Sequence, residues 1–147
     1  MADFYNIKVA DIYKETEDTS VITFEIPSDL KEIFKFRQGQ HLTLKADIEG
    51  EDVRRSYSLC SSPIENQWKV AVKQIPGGKF STYVNEELKN GDQIELMPPS
   101  GTFGVEVKPE EEKNYLFFAA GSGVTPILSM IKTHLSAESN ATCKLFF

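Results

Sequence analysis

The feature that most constrains this chain is a change of period. Up to residue 108 its apolar residues recur at every second position in short runs broken by Gly, Pro, Asn and Asp, which is the pattern of half-buried antiparallel strands. The runs are residues 4–12 (FYNIKVADI), 20–26 (SVITFEI), 41–48 (HLTLKADI), 53–60 (VRRSYSLC), 67–75 (QWKVAVKQI) and 92–97 (DQIELM). That many strands can close into a barrel, and closure removes the unpaired edges an open sheet would expose. Before the last run, STYVNEELKNG (81–91) places Tyr83, Val84 and Leu88 on one helical face, with Ser81 or Thr82 as N-cap and Asn90-Gly91 as the stop.

Beyond residue 108 the alternation disappears. VKPEEEKN (107–114) is a solvated connector, and the domain boundary is expected there, giving units 1–108 and 109–147. A fully apolar strand, YLFFAA (115–120), then leads through GSGVTP (121–126) into an amphipathic helix, ILSMIKTHL (127–135). A run that reads as a second buried strand, ATCKLFF (141–147), closes the segment. This is a β-α-β unit of a parallel sheet. The expected fold is therefore mainly β: a six-stranded antiparallel Greek-key barrel with one covering helix, followed by an incomplete β-α-β piece of an α/β nucleotide-binding domain. Two parallel strands leave apolar edges and faces uncovered, so self-association through them is expected.

Charge and cysteine usage narrow the function. Asp and Glu number 22 against 16 Lys and Arg, a net charge of −6, which disfavours a nucleic-acid surface. MADFYNIKVAD has no basic segment followed by an apolar one, and YLFFAA is too short to cross a bilayer, so a cytoplasmic protein without membrane contact is expected. Cys60 and Cys143 stand alone at no metal or redox spacing, so no metal site is expected and both read as small buried residues.

Three short motifs carry chemistry. GGKFS (77–81) sets Gly77 and Gly78 before a helix start, where backbone N–H groups and the helix dipole suit an anion; a flexible loop with an ordinary serine cap reads equally well. RRSYS (54–58) sends Arg55 and Tyr57 to one side of a strand and Ser56 and Ser58 to the other, unless a bulge turns all four to one ligand. Arginine suits a pyrophosphate, tyrosine a flat ring and serine a ring nitrogen; solvated edge arginines and a packing tyrosine are the plainer alternative. GSGVTP follows an apolar strand and opens a helix as a dinucleotide fingerprint does, with Pro126 at the third glycine's place. ATCKLFF has no carboxylate for a ribose, so neither NADH nor NADPH is singled out. His41 alternates with Leu42 and Leu44 and is expected to face solvent, and Phe103, after Pro98-Pro99-Ser100-Gly101, reads as a packing aromatic.

Together, Arg55-Ser56-Tyr57-Ser58, Gly78-Lys79-Phe80-Ser81 and Gly121-Ser122-Gly123-Val124-Thr125-Pro126 resemble the R-x-Y-S, G-x-x-S and G-x-G-x-x-P motifs of the ferredoxin–NADP reductase family. The stretches FRQGQHLTLKADIEGEDVRRSYSLCSSP and AVKQIPGGKFSTYVNEELKNGD are similar to its reductase components of phenylacetate breakdown. The resemblance implies FAD on the barrel. Arg55 would neutralise its pyrophosphate, Ser56 and Tyr57 would line it with the tyrosine on the isoalloxazine, and Ser58 would bond flavin N5. Gly77, Gly78, Lys79, Phe80 and Ser81 would hold the pyrophosphate while Val72 and Lys73 flank the cofactor. Gly121, Gly123 and Thr125 would face the nicotinamide of NAD(P)H, so that Tyr57, Ser58 and Thr125 border the hydride path. It further implies that electrons pass to a [2Fe-2S] centre outside this chain and on to an oxygenase, and that the chain is a fragment of a longer reductase, short of full turnover. A stand-alone flavin reductase, or a non-catalytic flavin or small-ligand module, is the alternative on the same barrel.

Overall fold

The computed structural model describes residues 3–147. Its first part is one antiparallel sheet of β1 (Tyr5–Thr16), β2 (Thr19–Glu25), β3 (His41–Ile48), β4 (Glu51–Ser58), β5 (Trp68–Lys73) and β6 (Gln93–Leu96), in the order β4-β3-β6-β1-β2-β5. The two ends of that order meet where Leu59, just past β4, bridges Val70 of β5. A register shift between Val9 and Asp11 bends β1, which pairs with β6 through its first half and with β2 beyond.

Alternation decides what the barrel encloses. Ile7, Val9, Ile22, Leu42, Leu44, Val70 and Leu96 are fully or almost fully buried, and each contributes about 1.5–3 kcal/mol by leaving water. Phe34 plugs one end, where its carbonyl accepts the indole N–H of Trp68 at 2.7 Å. The helix α1 (Lys79–Glu86) covers the wall with Phe80 and Val84, followed by Leu88.

Two element boundaries differ from expectation for local reasons. β4 begins at Glu51 because the two-residue turn Glu49-Gly50, both at positive φ, pairs Ile48 directly with Glu51. Helix α1 begins at Lys79, with Gly78 as its N-cap, and ends at Glu86. The Ser81 hydroxyl accepts from the Ile75 amide at 3.0 Å and lies 3.3 Å from the Gly78 carbonyl, so it ties down the preceding loop instead of capping.

The second part is a parallel pair, β7 (Asn114–Phe118) and β8 (Thr142–Phe146), joined by α2 (Val124–Ala137). Neither strand is buried as expected: Leu116 is 60% and Phe118 71% exposed, and Phe118 stacks on an exposed Phe146 at 5.0 Å. The inner side, toward α2, carries a polar knot. Fully buried Glu138 accepts from the Lys108 amide (2.9 Å), the Tyr115 hydroxyl (2.8 Å) and His134 Nδ1 (3.0 Å). Burial alone would raise the Glu138 carboxyl, yet these donors hold it below the ordinary range. Burial, then the hydrogen bond to Glu138, pushes the Tyr115 phenol up to about 12.

Helix α2 docks on the loop that leaves β4. Ser129 donates to the Ser61 carbonyl at 2.6 Å, and Lys132 pairs with Glu65 at 3.3 Å. The Thr133 hydroxyl gives its proton to the Ser129 carbonyl, so at the 2.7 Å contact between Ser62 and Thr133 it is Ser62 that donates. Among the described residues no helix is long and apolar enough to cross a membrane.

Candidate functional site

The arginine-tyrosine-serine strand and the double-glycine loop come together. Tyr57 of β4 lies against Phe80 of α1, ring centroids 6.0 Å apart, and Lys79 at the head of α1 pairs with Glu51 at the head of β4 at 2.7 Å. The head of α1 thus meets β4 at both ends of the strand. A cleft of about 240 Å³ opens at the start of α1, lined by Ile48, Glu49, Gly77, Gly78, Lys79, Thr82, Tyr83 and Glu87.

On β4 the alternation is as read from the sequence, without a bulge. Arg55 and Tyr57 lie opposite Leu44 and Leu42, whereas Ser56 lies opposite Thr43 and their hydroxyls meet at 2.9 Å on the outer face. The two arginines differ. Arg54 is clamped by Asp52 through two bonds of 2.9 and 2.8 Å. Arg55 makes no carboxylate contact among the described residues and donates only to the Arg54 carbonyl, at 2.7 Å. The Tyr57 phenol is pushed up by burial, with Arg55 opposing. Neither the Tyr57 nor the Ser58 hydroxyl has a hydrogen-bond partner among the described residues.

The head of α1 has donors to spare. The Gly78 amide bonds to Ile75 and the Thr82 amide to Gly78, but the amides of Lys79, Phe80 and Ser81 have no acceptor among the described residues. Gly77 holds φ +75°, and a side chain at Gly78 would strike the Ser81 hydroxyl at 2.6 Å, so the loop is drawn tight only because both positions are glycine. Lys79 and Ser81 enter this arrangement differently from the sequence reading: the lysine amine is held by Glu51, and the serine hydroxyl faces its own loop.

Other expected residues lie on neighbouring elements. Val72 on β5 is fully buried in the barrel and its carbonyl accepts from Asn85 at 3.0 Å, while Lys73 pairs with Asp18 at 3.5 Å. Gly121 and Gly123 form a 3-10 turn ahead of α2, and the Thr125 hydroxyl donates to the Ser122 carbonyl at 2.9 Å. Contrary to expectation, Phe103 does not pack: it is 61% exposed at a cleft of about 560 Å³ with Arg37, Gln40 and Val107. His41 is half-buried, its Nε2 within 3.1 Å of the Ser100 hydroxyl. Cys60 and Cys143 are half-buried rather than buried, because each lies on a strand or strand end whose outer side is open. Burial, the main cause in each case, raises both thiols. No cluster of metal-ligating side chains occurs among the described residues.

Comparison with known proteins shows the family. Residues 6–104 match the oxidoreductase FAD-binding domain family. The whole chain is 44% identical to one of the subunits of 1,2-phenylacetyl-CoA epoxidase from Escherichia coli (strain K12), covering 41% of it. Over 133 residues, 88% of the chain, it is 37% identical to the ferredoxin reductase component of 3-ketosteroid-9-alpha-monooxygenase from Rhodococcus rhodochrous, covering 37% of that protein. Among solved structures, phthalate dioxygenase reductase superposes with a TM-score of 0.79 at 28% identity, over 97% of this chain and 42% of that one. The chain thus spans about two fifths of the length of these relatives.

Proposed function

We propose, for a chain that belongs to the FAD-binding, ferredoxin reductase-like oxidoreductases, that the junction of β4 and α1 is where FAD is held. The observation that carries this is the contact of β4 with the head of α1, Tyr57 against Phe80 and Glu51 against Lys79, on a strand whose Arg55 has no carboxylate partner among the described residues and beside a helix whose first amides are open. These fit the group: cation and amides for the diphosphate, a ring face for the isoalloxazine. Arg55 and the amides of Lys79, Phe80 and Ser81 bind the diphosphate, with Gly77 and Gly78 allowing its close approach. Tyr57 orients the ring, and the free Ser58 hydroxyl donates to its N5. When bound, FAD supplies an acceptor of hydride that can release electrons singly. The test is titration of the chain with FAD, followed by flavin absorbance and fluorescence; a folded sample that stays colourless at saturating FAD refutes the reading.

We read the intact protein as an NAD(P)H-dependent reductase that passes electrons through a [2Fe-2S] centre to an oxygenase of phenylacetate breakdown. Support comes from its relatives, an epoxidase component and two oxygenase reductases, one of them described as passing electrons from pyridine nucleotides to [2Fe-2S]. Gly121, Gly123 and Thr125 then face the nicotinamide side. We place the protein in the cytoplasm, where its two free cysteines stay reduced. Single-turnover mixing of the FAD-loaded chain with NADH checks the division of labour: residues 109–147 alone give slow or no bleaching, and rapid turnover contradicts it. We further propose that the open face of Leu116, Phe118 and Phe146 lets copies self-associate; light scattering showing a monomer at high concentration overturns that.

A further inference from the structure

Resting on the reading of the head of α1 as the diphosphate seat, we propose that Glu51 sets cofactor affinity by competing with the diphosphate for Lys79. Lys79 donates to Glu51 at 2.7 Å, both side chains are exposed, and Lys79 lines the cleft. The position of Glu51 is fixed by the backbone. The Glu49-Gly50 turn forces it into register with Ile48, at the end of β4 that adjoins the first residue of α1. Among the residues lining the cleft Lys79 is the sole cation, and it shares the space with Glu49 and Glu87. The open amides attract a diphosphate, but the amine beside them is already occupied, and its ammonium form is strengthened by the Glu51 bond. The ammonium keeps two further N–H groups, so the rivalry is for its position: Glu51 holds Nζ at 2.7 Å, and a diphosphate on the amides draws the same charge toward itself. Arg55 has no such rival, which makes Lys79 the adjustable contact and Arg55 the constant one. Glu51 is a positioning residue, acting through Lys79.

Exposed pairs of this kind are weak, so the effect is modest: Glu51→Gln tightens FAD binding about three- to fivefold at low ionic strength. The gain shrinks as salt screens the pair. The experiment is fluorescence titration of the 147-residue chain with FAD, and in parallel with ADP, which carries the diphosphate without the isoalloxazine. Parent, Glu51→Gln, Lys79→Met and the double variant are compared, with circular dichroism confirming that each is folded. The gain should appear for both ligands and fall below about twofold in the Lys79→Met background, as expected when two substitutions report one contact. A Glu51→Gln chain that binds FAD no tighter than the parent overturns the inference and leaves the diphosphate reading intact. Equal gains in both backgrounds also overturn it, because Glu51 would then act by simple repulsion. A parent chain that binds neither FAD nor ADP overturns the underlying reading itself.

Discussion

The barrel and the β7–α2–β8 unit use strands of similar apolar content and bury them very differently. In the barrel each inward side chain meets partners from across a closed wall, and Leu42, Leu44 and Leu96 lose all contact with water. In the smaller unit only the face toward α2 is covered, and Leu116 and Phe118 stay open while Tyr115 and Phe117 stack beneath them. Burial is thus set by closure rather than by composition. The small unit compensates with polar contacts: a buried carboxylate knot on one side of α2, and hydroxyl bonds to the barrel on the other.

The sharpest way to break this contrast is to empty the barrel. Phe34→Ala should cost about 3–5 kcal/mol of stability, since a fully buried ring leaves a cavity and the Tyr5 ring loses its edge contact; urea unfolding measures it. Next comes the site on the barrel wall. Arg55→Ala should weaken FAD binding by about 1.5–3 kcal/mol, the value of a charge-assisted bond, read as a rise in Kd at constant urea midpoint. Within the small unit, Glu138→Gln should cost about 1–3 kcal/mol, because it leaves buried donors mismatched.

Acid should separate the two regions. The Glu138 carboxyl is held below its unfolded value, so its contribution is complete above about pH 4.3 and is lost as pH falls through the lower, folded value. The single tryptophan, Trp68, lies in the barrel, whereas Tyr115 reports on the knot. On acidification the near-ultraviolet tyrosine signal should therefore decay before Trp68 emission shifts; simultaneous loss would show that the knot does not control the small unit. The smallest effect is expected at Phe118→Lys, within about 0.5 kcal/mol of the parent in stability, together with loss of self-association in light scattering.

Legibility in the sequence followed the range of the interaction. Period two located every barrel strand because the alternation is itself the consequence of facing a core. The edges of elements were less legible, since they turn on competition between neighbours. Ser81 is a good cap by type, but Gly78 took the cap when the serine hydroxyl was drawn to the Ile75 amide. That the Tyr57 strand and the helix after Gly78 would meet came from the family resemblance of the motifs, not from their spacing. The Glu138 knot draws on residues 108, 115, 134 and 138, and a carboxylate in an exposed-looking run gives no sign that it will be buried. Nor does Glu51 announce its hold on Lys79 across 28 positions.

The docking of α2 on the loop after β4 has a mechanical consequence. Ser61 sits three residues beyond Ser58, and the Ser129 and Thr133 contacts fasten that loop to the helix opened by Gly121 and Gly123. Any torque on the C-terminal unit is therefore delivered to the strand bearing Tyr57 and Ser58, over a lever arm of a few residues and with no slack hinge between. Load placed on that unit thus reaches the Tyr57 strand through two hydroxyl contacts and a three-residue loop.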